Sequence, residues 1–219
     1  MKKFELTSET KINIFGKKLF RIKALISFGI VKTGETGGWV EKEENVNQSG
    51  NAWVFGNAEV SGNAWVSGNA WVFDNAEVFG NAWVSGNARV FGNAWVFDNA
   101  EVFGNAEVFD NAEVSGNAWV SGNARVFGNA RVFGNARVSG NARVFDNADY
   151  ATIHGFGTQF RTTTFFRCKD KQVKVSCGCF YGTIPEFREQ VKNTRKGKIA
   201  EEYLMIADLM EKHFAEEAK

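Results

Sequence analysis

The chain has 219 residues and a net charge of +1, with 44% hydrophobic and 23% charged residues, which suits one elongated body with flanking elements or two small domains. Residues 1–49 carry nine Lys/Arg against six Asp/Glu, residues 50–151 five against ten, and residues 152–219 twelve against nine. That acidic middle excludes general DNA wrapping, which needs many phosphate-neutralising cations. No apolar run reaches membrane-spanning length, since residues 24–31 are too few. Met1-Lys2-Lys3-Phe4-Glu5 lacks the apolar stretch of a secretory signal. Three cysteines, Cys168, Cys177 and Cys179, are an odd number in one segment. They fit a reduced compartment rather than a secreted disulfide framework. The expected location is the cytoplasm.

Residues 11–22 read as a β-hairpin around Gly16, and residues 1–38 as an N-terminal hairpin cap. Val40 and Val46 already stand six apart, so a coil is expected to start near Trp39, before a two-residue excursion at Gln48 and Ser49.

From Asn51 to Asn147, seventeen asparagines stand at strict six-residue intervals, each opening a unit Asn-Ala-x-Val-(Phe/Ser)-(Gly/Asp). Such a short unit is one side of a coil wound around an axis. Ala and Val alternate with two other positions, so a strand puts both on one face. They hardly vary, whereas x is Trp, Glu, Arg or Asp; the constant small pair faces a space of fixed size. Gly-Asn and Asp-Asn tolerate left-handed backbone and make the corners.

The position after Val counts the sides. Phe55, Phe73, Phe91, Phe109, Phe127 and Phe145 are all 18 apart, and Asp74, Asp110 and Asp146 recur at 36. Three hexads therefore make one coil. The expected architecture is mainly β: a triangular parallel β-helix of five to six coils over residues 39–151. Asn side chains should be hydrogen-bonded in line at its corners, and its two ends need caps.

The pattern Val-x-x-x-Ala-x resembles the hexapeptide repeat of left-handed parallel β-helices, the family that includes many trimeric acyltransferases. That resemblance implies a left-handed coil and a trimer. The opening residues followed by Asn-Ala repeats also resemble a group of uncharacterised bacterial and bacteriophage hexapeptide-repeat proteins, which implies a phage or prophage origin and a bacterial cytoplasm.

Past Tyr150 the hexads stop, and residues 152–219 form a C-terminal module. Residues 162–167 and 172–177 alternate as strands around the turn Lys169-Asp170-Lys171. Thr183-Ile184-Pro185-Glu186 is a capping box opening a helix to about Lys192. A second helix, from about Lys198 to Phe214, puts Ile199, Tyr203, Ile206 and Met210 on one stripe. This gives a ββαα cap.

Chemistry finds little purchase in these residues. Acyltransferases of the resembled fold use a histidine base and loops that leave the coil; no histidine lies between Gly50 and Ala151 and no insertion interrupts the hexads. The carbonic anhydrase branch needs three histidine ligands, and the chain has two, His154 and His213. His154, Cys168, Cys177 and Cys179 form a weak candidate Cys₃His metal set, but Cys-Gly-Cys lacks the usual spacer, and a strand would put Cys177 and Cys179 together on a buried face as structural residues. Gly155-Phe156-Gly157 reads as a turn rather than a phosphate loop. No cofactor is expected.

The outward face carries more. The Phe column (Phe55, Phe73, Phe91, Phe109, Phe127, Phe145), flanked by Trp53 and Trp71, makes an apolar strip that something should cover: the C-terminal helix, the N-terminal segment or neighbouring copies. Arg89, Glu107 and Arg125 are expected to stack as opposite charges, as are Glu113, Arg131 and Asp149, with Trp119 beneath Arg137. Arg125, Arg131 and Arg137 ring one coil and, with Arg143, form a candidate anion site. The expected function is a non-catalytic β-helix that binds or scaffolds as a homo-oligomer. Its alternatives are an anti-defence protein sequestering a signalling nucleotide and a hexapeptide-type acyltransferase. The partners open to it are its own copies, a host protein or a small anionic ligand.

Overall fold

The computed structural model describes residues 2–215. Sixteen two-residue strands, from Trp53–Val54 to Arg143–Val144, follow one another around three parallel sheets. Each strand pairs with the strand three hexads on, as in Trp95↔Glu113 and Val96↔Val114. The sides make about six coils of 18 residues, the triangular parallel solenoid expected. One face, the Phe face, runs from Trp53–Val54 to Arg143–Val144. A second, the hairpin face, continues from the N-terminal strands, and a third, the Trp face, begins at Trp65–Val66.

The interior explains the repeat. Every Ala and Val of the hexads from Ala52 to Val144 is at most 1% exposed, and burying each valine contributes roughly 1.5 kcal/mol or more. Outward residues donate to the next coil, Glu77 N–H to the Ala94 carbonyl at 2.9 Å and Phe79 N–H to Val96 at 3.0 Å. At the corners the Asn side chains form three ladders, for example Asn69 to Asn87 and Asn87 to Asn105, both at 3.0 Å.

The corner position explains the aspartates at 74 and 110. From Gly56 to Gly128 its backbone is left-handed whichever residue stands there, with φ +60° at Asp110 and +71° at Gly92; Asp146, where the chain leaves the coil, is extended at φ −142°. The carboxylates of Asp74 and Asp110 each accept the N–H of the glycine one coil on, Gly92 and Gly128, at 3.2 Å. A Cβ on Gly92 would lie 2.8 Å from the Asp110 nitrogen, so aspartate and glycine alternate up this corner.

At the N-terminal end β1 (Phe4–Ile12), β2 (Lys18–Ala24) and β3 (Thr36–Val40) form an antiparallel hairpin and a third strand. β3 joins the coil, pairing Trp39 with Glu59 and Val40 with Val60. Phe4, Ile22 and Ala24 close the first coil. Gln48, read from sequence as part of an excursion, clamps this cap: its Oε1 accepts from the Lys3 and Phe4 N–H groups at 2.7 and 3.2 Å, and its Nε2 donates to Glu43 at 2.7 Å.

At the other end a four-stranded antiparallel sheet carries two helices, with two more strands than the sequence patterns indicate. Residues Tyr150–Phe156, Arg161–Arg167, Val173–Cys177 and Phe180–Thr183 pair in order, followed by helices Ile184–Thr194 and Gly197–His213. The first added strand is broken by a bulge between Ile153 and Phe156 at left-handed Gly155. The second runs straight into the capping box, so Gly155 and Thr183 mask strand ends. Phe166, Cys168 and Tyr150 face the last coil and join its core. The next residue, Phe165, turns the other way with Val175, against Phe187, Tyr203, Ile206 and Met210 of the helices. The sheet is thus the lid on the prism, and the helices pack behind it. Among the described residues no helix is long and apolar enough to cross a membrane.

Asp110→Ala forces a left-handed alanine and loses the bond to Gly128, so it should destabilise by about 2 kcal/mol. Asp110→Gly relieves the backbone and should lie within about 1 kcal/mol of wild type. Chemical denaturation of both variants checks this; equal losses would contradict the corner assignment.

Candidate functional site

The outward residues of each hexad, x and the residue after Val, form two columns on each face. On the Phe face the rings of Phe73, Phe91, Phe109 and Phe127 stack nearly parallel, at 4.7, 4.8 and 5.0 Å between centroids. The coil spacing and the ring-stacking distance coincide, so the backbone ladder holds them in contact. All four are half-buried. Phe145 ends the column tilted at 61° and is 54% exposed. Phe55 leaves the stack and sets its edge against Trp71 at 5.7 Å. A shallow groove of about 790 Å³ opens there, with Ile30, Trp71, Phe73 and Arg89 around it.

Trp53 is not part of the exposed strip. It is fully buried beneath Phe4 and Phe28, whose rings meet it edge-on at 5.8 and 5.3 Å. Gly37 makes room, since a Cβ there would lie 2.6 Å from the indole. Lys3 crosses the same patch, donating Nζ to the Ala52 carbonyl at 2.8 Å, and burial brings its ammonium down to about 8. The N-terminal segment therefore covers the start of the Phe face. The C-terminal helices pack on their own sheet and, among the described residues, make no ring contact with the Phe column.

The hairpin face has a local cover too. Phe15, at the tip between β1 and β2, packs on Phe79 at 4.8 Å and approaches Trp95 at 6.3 Å. The Trp face carries a second aromatic column, separate from the Phe column. Trp65 and Trp83 stack at 5.5 Å and 15°, and they and Trp119 are 37–40% exposed. Reading position x at a period of 18 through Trp65, Trp83, Glu101, Trp119 and Arg137 gives this column from sequence.

The expected charge ladders form in part. Glu107 and Arg125 pair at 2.6 Å, Glu113 and Arg131 at 3.1 Å, and Arg137 lies over Trp119 at 4.6 Å. Arg89 instead lies over Trp71 at 5.1 Å. Asp149 is not a partner of Arg131: the chain there turns into a short 3₁₀ segment capped by Asp146, and Asp149 pairs with Arg167 at 3.1 Å.

The four arginines proposed for an anion do not converge. Arg125 and Arg143 are neighbours on the Phe face, but Arg131 is on the hairpin face and Arg137 on the Trp face. Consecutive hexads lie on different sides of a three-sided coil, so a ring in sequence becomes a ring around the outside.

The Cys₃His set is also dispersed. Cys168 is buried against the last coil, and burial pushes its thiol up to about 11. Cys177 is half-buried and accepts the Thr163 hydroxyl at 3.1 Å. Cys179 is exposed, because Gly178 at φ +61° makes a tight turn between the last two strands. It does not share a buried face with Cys177. Gly157 is in a turn, while Gly155 forms the bulge. Among the described residues no three His, Cys, Asp or Glu side chains come together as a metal site.

With this geometry, the chain is similar to the YdcK Beta solenoid repeat family, which matches residues 82–98, 118–133, 124–139 and 136–148. Every matched segment lies in the coils. No curated protein matches the chain. Repeat and coordinates together identify a β-solenoid repeat protein.

The cysteine environments make a direct prediction. With Ellman's reagent at mildly alkaline pH, one thiol should react fast, and Cys179→Ser should remove that phase; half-buried Cys177 should follow more slowly and buried Cys168 only on unfolding. Three fast thiols, or their joint protection by zinc, would contradict this placement.

Proposed function

We propose that this chain acts without catalysis, as a phage- or prophage-type β-solenoid scaffold in a bacterial cytoplasm that assembles with copies of itself through the Phe face. The observation that carries the reading is the parallel stack of Phe73, Phe91, Phe109 and Phe127, half-buried, with ring contacts to one another and to Phe145. The hairpin face is partly covered by Phe15, and the last coil is covered by the C-terminal sheet. The Trp face is broken by Glu101 and backed by serines at 67, 85, 121 and 139. The Phe face carries the longest run of stacked rings among the described residues, and contiguous apolar patches on soluble proteins mark interaction sites.

The uniformity of the coils supports the non-catalytic part. Catalysis needs a place that differs, with a base and an acceptor pocket, and these coils repeat one pattern without histidine or insertion. Acyl transfer accordingly rests on fold resemblance alone.

Size-exclusion chromatography with light scattering is expected to give a trimeric mass. Phe91→Ser combined with Phe109→Ser should weaken association by roughly a hundredfold or more. Trp83→Ser on another face should leave the mass unchanged. A wild-type monomer at every concentration would overturn the assembly reading.

A further inference from the structure

Arg137, of the dispersed arginine set, meets cations of the lid with no carboxylate beside them. It stands on the last Trp-face strand, where its backbone N–H is held by the Thr164 hydroxyl of the lid at 3.0 Å. Beside it lies a cavity of about 670 Å³ between coil and lid, also lined by Asn135, His154, Phe160, Arg161 and Thr162. Both arginines and the histidine line it, with the Arg137 guanidinium resting over Trp119 at its side, and no carboxylate does. Elsewhere Arg125, Arg131, Arg167 and Arg188 each pair with Asp or Glu. Among the described residues Arg137 and Arg161 make no ion pair. Two unneutralised guanidinium groups in one concavity form a site for an oxyanion.

The local geometry is built rather than incidental. Arg161 lies across the turn at Gly178, where a Cβ would come within 2.5 Å of its Nη1. His154 Nδ1 is engaged by Thr162 Oγ1 at 3.2 Å, which orients the ring. Phe160 adopts a left-handed backbone, φ +47°, and is 64% exposed. A bulky residue in that region is strained, and here the strain holds an aromatic ring at the cavity rim instead of in the core. An exposed ring beside paired arginines offers a stacking surface for a planar base.

We propose that this junction binds a small phosphate monoester bearing a planar base, with a nucleoside monophosphate as the simplest ligand. Arg137 and Arg161 hold the phosphate, His154 donates to it, and the Phe160 ring stacks on the base. The inference is independent of self-assembly and gives the nucleotide-sequestering alternative a location different from the coil arginines. Since Arg137 belongs to the coil and the other groups to the lid, the bound ligand ties the two together.

Calorimetry on the full chain with adenosine 5′-monophosphate, ribose 5-phosphate and adenosine tests it. The nucleotide should bind best, ribose 5-phosphate more weakly, and adenosine not measurably. Arg137→Ala and Arg161→Gln should each weaken the nucleotide roughly tenfold or more. Phe160→Ala should weaken it roughly tenfold while sparing ribose 5-phosphate. Arg143→Ala, on another face, should change nothing. Thermal unfolding of each variant without ligand separates lost binding from lost folding, and His154→Ala provides a further variant that leaves both guanidinium groups in place. Absence of nucleotide binding, indifference to both arginine substitutions, or equal affinity for nucleotide and ribose 5-phosphate would overturn the proposal. The oligomeric mass should be the same in all variants, so this proposal and the assembly reading fail separately.

Discussion

The whole molecule depends on a narrow interior that admits alanine and valine and little else. Each coil places three Ala–Val pairs inside, fully buried, and its outward amides donate to the carbonyls of the next coil at close to 2.9 Å. A larger inward residue would force neighbouring backbones apart, and a polar one would lose water without finding a partner. The alternating residues have no choice but the outside, stacked at the coil spacing. Parallel Phe rings, Asn ladders and Glu–Arg pairs are consequences of that single constraint.

A uniform interior also moves the distinctive features of the protein to its faces and ends. Each end uses a different device to stop the open ladder from recruiting another chain. The N-terminal hairpin drops Phe4 and Ile22 onto the first coil and is fastened by Gln48. The C-terminal sheet lays Phe166 and Tyr150 on the last coil, with the Tyr150 hydroxyl donating to the Arg131 carbonyl. Where this lid meets the final coil, the repeat pattern breaks and side chains of unlike origin are brought together. Arg137 and Arg161 come from 24 positions apart in the chain, which no periodic surface of the coil would do.

The coil was legible because its signals are local and repeated. Ala and Val at fixed positions give the inside, the unbroken Phe column gives three sides, and Thr183 with Glu186 marks the helix start. What escaped depends on contacts between distant residues. Trp53 resembles Trp71 in its hexad, yet it is buried because Phe4 and Phe28 reach over it. The arginine belt does ring one coil, but adjacency in sequence means different faces here, so its members do not converge. Asp149 changed partner because the chain leaves the coil at Asp146. The junction cavity had no motif, since a left-handed Phe160 is invisible in composition.

Hydrogen exchange resolved to single amides tests the closed prism most directly. The outward amides of the central coils, among them Glu77, Phe79, Trp95 and Phe97, bond to Ala94, Val96, Ala112 and Val114. They should exchange slowly and together, through cooperative opening, while the exposed hairpin-tip amide of Ile14 exchanges fast. Outward amides exchanging as fast as Ile14 would contradict a continuous ladder from coil to coil.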